Sequence, residues 1–97
     1  MQGELDAQAL ANIAYGAACS GMGKAHSALF AALAREAEQC LGQFNAQGLA
    51  NTAWAFATAG QSDALLFEAL AREVTRRLGE FNAQDLANTA WAFATVG

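Results

Sequence analysis

The sequence predicts an all-α protein, an α-solenoid of antiparallel helical hairpins, on three observations. A block of about 37 residues repeats along a chain of 97 residues, apolar residues recur within it at helical spacing, and no proline interrupts it. A fixed period in this range is the signature of stacked supersecondary units, each too small to bury its apolar face alone.

The repeat is read directly. FNAQGLANTAWAFATAG from Phe44 returns as FNAQDLANTAWAFATVG from Phe81, and FAALAREAEQCLGQF from Phe30 returns as FEALAREVTRRLGEF from Phe67, both at a step of 37 residues. A diverged copy, LDAQALANIAYGAACSG, opens at Leu5 and aligns with the Phe44 copy at an offset of 39. The period is therefore 37 to 39 residues, and two kinds of helix alternate: type B, built on AQxLANxA-aromatic, and type A, built on FxALARE. One helical-repeat domain over 1–97 follows, with about two and a half repeats and five helices.

The first helix, type B over 6–20, starts at Asp6, whose carboxylate suits the open amides of a first turn, and stops at Gly21. Leu5 and Leu10 bracket that cap at the spacing of a hydrophobic staple. The second helix, type A over 25–41, closes at Gly42. The third, type B over 45–59, has Asn45 as cap, Phe44 and Leu49 as staple and Gly60 as stop. It is apolar almost all round, so it is expected to be covered on more than one side. The fourth, type A over 62–78, puts Phe67, Leu70, Ala71, Val74 and Leu78 on one stripe opposite Glu68, Arg72, Glu73, Arg76 and Arg77, and closes at Gly79. The fifth, type B over 82–96, repeats the third with Asn82, Phe81, Leu86 and Gly97. Glycine at these stops predicts a left-handed residue at each.

Several positions recur across the copies and are the candidate functional and packing residues. Tyr15, Trp54 and Trp91 share one register; they either wedge between repeats or offer a stacking platform for a base. Leu10, Leu49, Leu86, Phe56 and Phe93 are expected to pack between repeats with them. Asn12, Asn51 and Asn88 stand inside helices, where asparagine is unfavourable by some tenths of a kcal/mol, so something must offset the cost. Their amides are either rungs bonded to the next repeat or readers of a ligand such as a base edge. Gln8, Gln47 and Gln84 read as first-turn hydrogen bonders. Arg35, Arg72, Arg76 and Arg77 either form a solvated face paired with Glu68 and Glu73 or follow a phosphate backbone.

Composition excludes several classes. With 55% apolar and only 14% charged residues the chain is not a disordered tail. A net charge of −4 is unlike the basic balance of a free-standing nucleic-acid binder. Cys19 and Cys40 lie in no metal-ligand or CxxC spacing and are expected as reduced thiols in a reducing compartment. His26 has no motif partner, and no phosphate loop, metalloprotease motif or zinc spacing is present, so neither an enzyme nor a cofactor or metal is expected. No apolar run approaches the roughly 18 to 20 residues of a membrane span, and the first residues form no targeting signal.

The two FNAQxLANTAWAFAT blocks, each preceded by an FxALARE helix, resemble octotricopeptide repeats, the helical-hairpin repeats of algal organellar proteins, and related arrays that accompany RAP domains. The likeness covers nearly the whole chain, and its most specific part is the Gln-x-Leu-Ala-Asn-x-x-Trp-Ala core. It departs where Ala46 and Ala83 replace a proline often found there. The resemblance implies a non-catalytic solenoid in a chloroplast or mitochondrion that binds single-stranded RNA and serves its maturation, stability or translation. The alternative is a scaffold for protein partners or an accessory subunit of a larger assembly. With no polar terminal cap at Gly97, the chain is expected to be a fragment of a longer array or a module held inside a larger assembly, its partners being other proteins or further repeats of the same chain.

Overall fold

The computed structural model describes residues 6–21 and 27–96 and is all-helical there. Five α-helices follow one another: α1 (Ala7–Cys19), α2 (Ser27–Gln39), α3 (Ala46–Thr58), α4 (Ala64–Arg76) and α5 (Ala83–Val96). Leu5, His26, Gly97 and the starting turn of the second helix lie wholly or partly outside the described residues.

Local chemistry sets the starts of α1, α3, α4 and α5. The Asp6 carboxylate accepts the Ala9 amide at 2.8 Å, and the Asn45 side chain accepts the Gly48 amide at 2.6 Å. At α5 the cap is reciprocal: Asn82 accepts the Asp85 amide at 2.8 Å while the Asp85 carboxylate accepts the Asn82 amide at 3.3 Å, a capping box. Asp63 caps α4 through the Leu66 amide at 2.9 Å, a start the repeat alignment did not reveal because its counterpart is His26.

Two of the expected glycine stops are left-handed and two are not. Gly21 and Gly60 both have φ +75°. At Gly60 the Gln61 amide reaches the Phe56 carbonyl at 2.9 Å and the Gly60 amide reaches Ala57 at 3.1 Å, the paired bonds of a Schellman motif. Gly42 and Gly79 sit instead inside 3-10 turns, Leu41–Gln43 and Leu78–Glu80, which carry the chain directly from the type A helix into the next cap. No left-handed residue is needed there, because a 3-10 turn continues with negative φ.

The five helices form two layers. The type B helices α1, α3 and α5 lie side by side with α3 in the middle, and α2 packs on α4 in the second layer. Burial gives each type B helix two packing faces. The front face is Ala7, Leu10, Ala11, Ala14 and Ala18 in α1, buried against α3. Its counterpart in α3, Ala46, Leu49, Ala50, Ala53 and Ala57, is buried as well. The back face is Thr52, Ala55 and Ala59 in α3 and Asp85, Thr89 and Ala92 in α5, again buried. Front therefore meets back at both junctions. Alanine at most of these positions lets helix axes approach closely, which is why a chain poor in large residues still forms a dry core.

The layers are locked by edge-to-face rings, Phe30 on Phe56 at 5.1 Å and Phe67 on Phe93 at 5.3 Å between centroids. Phe56 and Phe93, expected between repeats, thus meet the phenylalanine of the preceding type A helix in their own hairpin. Leu10 and Leu49 are buried as packing residues, whereas Leu86 is exposed because no helix of the described residues covers the front of α5. The expected α4 stripe is buried at Phe67, Leu70 and Val74, is joined by Leu66, and loses Leu78 to solvent at the uncovered end.

Candidate functional site

In each type B helix a glutamine, an asparagine and an aromatic stand at i, i+4 and i+7: Gln8, Asn12 and Tyr15; Gln47, Asn51 and Trp54; Gln84, Asn88 and Trp91. At 3.6 residues per turn these three fall on one stripe of the helix. Side-by-side packing of α1, α3 and α5 sets the stripes next to each other, on the side of the type B layer turned away from α2 and α4.

The rings form a continuous row. Tyr15 and Trp54 have centroids 5.1 Å apart and Trp54 and Trp91 6.4 Å apart, tilted by 35° and 34°. They fill the place between neighbouring helices and also face solvent, Tyr15 at 43% and Trp91 at 48% exposure. Both roles foreseen for the register are therefore available to the same residues.

Beside the row lie two open grooves, of about 430 and 730 Å³. The larger is lined by Asn12, Asn51, Asn88, Tyr15, Trp54 and Asp85 with their neighbouring glutamines. The asparagines form no rungs. None of the side chains of Asn12, Asn51, Asn88, Gln8, Gln47 or Gln84 bonds another of the described residues, and each lines one or both of the grooves. Gln8, Gln47 and Gln84, expected to bond the first turn, are exposed; the cap side chains accept one first-turn amide each, from Ala9, Gly48 and Asp85. The i, i+4, i+7 spacing was the signal in the sequence that joins them to the asparagines and rings.

The arginines sit in the other layer and most are already engaged. Arg35 bonds Glu38 and reaches Asp63 at 2.7 Å, tying α2 to the cap of α4; these hydrogen bonds, Asp63's first, raise its pKa further. Arg77, largely buried, donates to Glu80 at 2.9 Å, to Glu73 at 3.1 Å and to the Phe44 carbonyl at 2.7 Å, clamping the end of α4 to the start of α3. Arg76 pairs with Glu73. Burial alone would push the Glu73 carboxyl up, but the bonds from Arg77 and Arg76 outweigh it and hold it below its ordinary value. Arg72 alone of the four is exposed without an ion pair among the described residues. The proposed phosphate stripe and the amide row are therefore not one surface.

Cys19 is exposed and Cys40 half-buried, both free, and burial raises the Cys40 thiol. Among the described residues no His, Cys, Asp or Glu cluster could hold a metal ion, and no helix is long and apolar enough to cross a membrane. No family model, curated protein or solved structure matches the chain.

Proposed function

We propose that the protein is a non-catalytic RNA-binding helical-repeat module that holds single-stranded RNA along the Tyr15, Trp54 and Trp91 row, with Asn12, Asn51 and Asn88 pairing base edges. The observation that carries this reading is the row of unpaired amides beside half-exposed rings, one set per type B helix. Rings stack any base, an amide donates and accepts at once, and helical-repeat readers take about one base per repeat. The resemblance to octotricopeptide repeats supports RNA as the ligand and a chloroplast or mitochondrion as its setting. Three type B helices then address about three nucleotides, which suits a segment working with further repeats.

In this reading Arg35 and Arg77 tie separate elements of the outer layer together and Arg76 pairs with Glu73 of its own helix, so none of the three follows phosphates and binding is left mainly to stacking and amide pairing. Anisotropy of a labelled short RNA at low salt tests it. Binding is expected, and Trp91→Ala should weaken it by about fivefold or more, since a stacked base contributes about 1–3 kcal/mol. Absence of binding at low salt refutes the proposal.

A second reading has a specific observation behind it. Asp85 lines the larger groove, no lysine or arginine among the described residues does, and the net charge is −4. An extended basic peptide would pair its backbone with the amides and set its cations over the rings. Binding of an arginine-rich peptide without binding of RNA would establish this alternative, a protein-interaction scaffold.

A further inference from the structure

The repeated sets of amide and ring differ at one neighbouring place. Segments 44–58 and 81–95 are identical except that Gly48 of the first is Asp85 in the second, and Ala9 holds that register in α1. Gly48 lines the smaller groove, between α1 and α3, and Asp85 lines the larger one, to which α5 contributes. At the same register, therefore, one groove carries a glycine and the other a carboxylate.

Asp85 is only 8% exposed, yet the fold does not use it up. Its Oδ2 accepts the Asn82 amide at 3.3 Å, a long bond, and its Oδ1 has no partner among the described residues. A carboxylate so far removed from water is unfavourable unless something donates to it. Capping does not demand the group either. Asn45 caps α3 through the Gly48 amide with no carboxylate in that register.

The chemistry of the open oxygen selects its ligand. A carboxylate accepts and does not donate. Among the RNA bases guanine alone sets a ring N–H and an amino group side by side on its Watson–Crick edge. Adenine and cytosine place an acceptor nitrogen beside the amino group, and uracil flanks its N–H with two carbonyls, so each brings a lone pair against the carboxylate. The guanine carbonyl on the same edge accepts, and the Asn88 amide, one helical turn on from Asp85 and lining the same groove, can donate to it.

Resting on the reading of this groove as an RNA site, we propose that Asp85 makes the subsite between α3 and α5 selective for guanine, while the Gly48 subsite takes any base. Hydrogen bonds to an ionised acceptor are among the stronger ones. The same carboxylate repels the phosphates of every strand, so it lowers affinity for RNA that lacks guanine. Selectivity then comes partly from rejecting the other bases.

Anisotropy of labelled short uridine oligomers at low salt, carrying one central guanine, adenine or cytosine or none, tests this with the full chain. Wild type is expected to bind the guanine oligomer about fivefold or more tighter than the others. Asp85→Gly, which gives α5 the sequence that α3 already folds, should remove that preference and strengthen binding of the guanine-free oligomers. A merely structural role for Asp85 would instead weaken every oligomer alike. Asp85→Asn, similar in size and still able to accept the Asn82 amide, should lose the preference as well, and it carries the test should the glycine variant lose its helical circular dichroism. Equal binding of all the oligomers by wild type, a guanine preference kept by the variants, or a uniform loss in them overturns the inference and leaves the RNA groove standing. No binding of any oligomer, or binding of an arginine-rich peptide alone, overturns the RNA reading and this inference with it.

Discussion

LANTAWAFAT occurs in α3 and again in α5, and the two copies experience different surroundings. In α3 Leu49, Ala50, Ala53 and Ala55 are fully buried, because α1 covers one side and α5 the other. In α5 the back face is equally dry at Ala92, but Leu86, Ala87, Ala90 and Ala94 face solvent. Identical local sequence yields an identical helix and a different energetic role. Position in the stack, not residue type, decides what each leucine or alanine contributes.

Paired substitutions in the two copies separate the helix from its place. The largest contrast is expected at leucine: Leu49→Ala should cost about 2–5 kcal/mol and Leu86→Ala a fraction of that, since only the first opens a closed cavity. Chemical denaturation of both variants measures the gap, and equal losses would mean that the front of α5 is covered in solution. Ala50→Val should cost about 1–3 kcal/mol through overpacking, whereas Ala87→Val, with open space before it, should stay within about 0.5 kcal/mol of wild type.

Thr52 and Thr89 invert the pattern. Thr89 donates its hydroxyl to the Asp85 carbonyl at 2.8 Å, while the Thr52 hydroxyl is buried between α1 and α3 with no partner among the described residues. Thr52→Val, nearly isosteric, should therefore stabilise by about 1 kcal/mol, and Thr89→Val should be neutral or slightly unfavourable. A loss at Thr52→Val would reveal a bridging water. Thermal unfolding is sensitive enough to distinguish these outcomes.

The smallest effect concerns the clamp that fastens the last hairpin. Glu73 has its carboxyl pKa held down by Arg77 and Arg76 against the opposing effect of burial, so the stability it adds is present at neutral pH and is lost as pH falls through that lowered value. Arg77 should then hold the Phe44 carbonyl less firmly, and amides of α5 should exchange faster in acid before those of α3 do. Simultaneous loss in both helices would place the clamp in the global unfolding unit.

Much of the fold was legible because repetition makes the sequence its own comparison. Asp6, Asn45 and Asn82 identify helix starts through short-range chemistry that a register alignment exposes, and they cap as that chemistry requires. Gly42 and Gly79 misled, since a glycine after a helix permits a left-handed stop without demanding one. The site was legible in its letters but not in its grouping. Asn51 and Trp54 stood out as recurrent, yet whether the amide bonded a neighbouring repeat depended on side-chain directions across the α1, α3 and α5 junctions. Arg77 was readable as a cation and unreadable as a clamp, because Phe44, its acceptor, lies in the previous hairpin.

By itself the sequence determined the helices, their alternation and the stripe of glutamine, asparagine and aromatic, all of which depend on residues a few positions apart. The tertiary structure alone decided which copy of LANTAWAFAT is core and which is surface, that the amides open onto a groove, and that the arginines are engaged elsewhere. Those outcomes depend on what covers a face, and cover comes from helices more than thirty residues away along the chain.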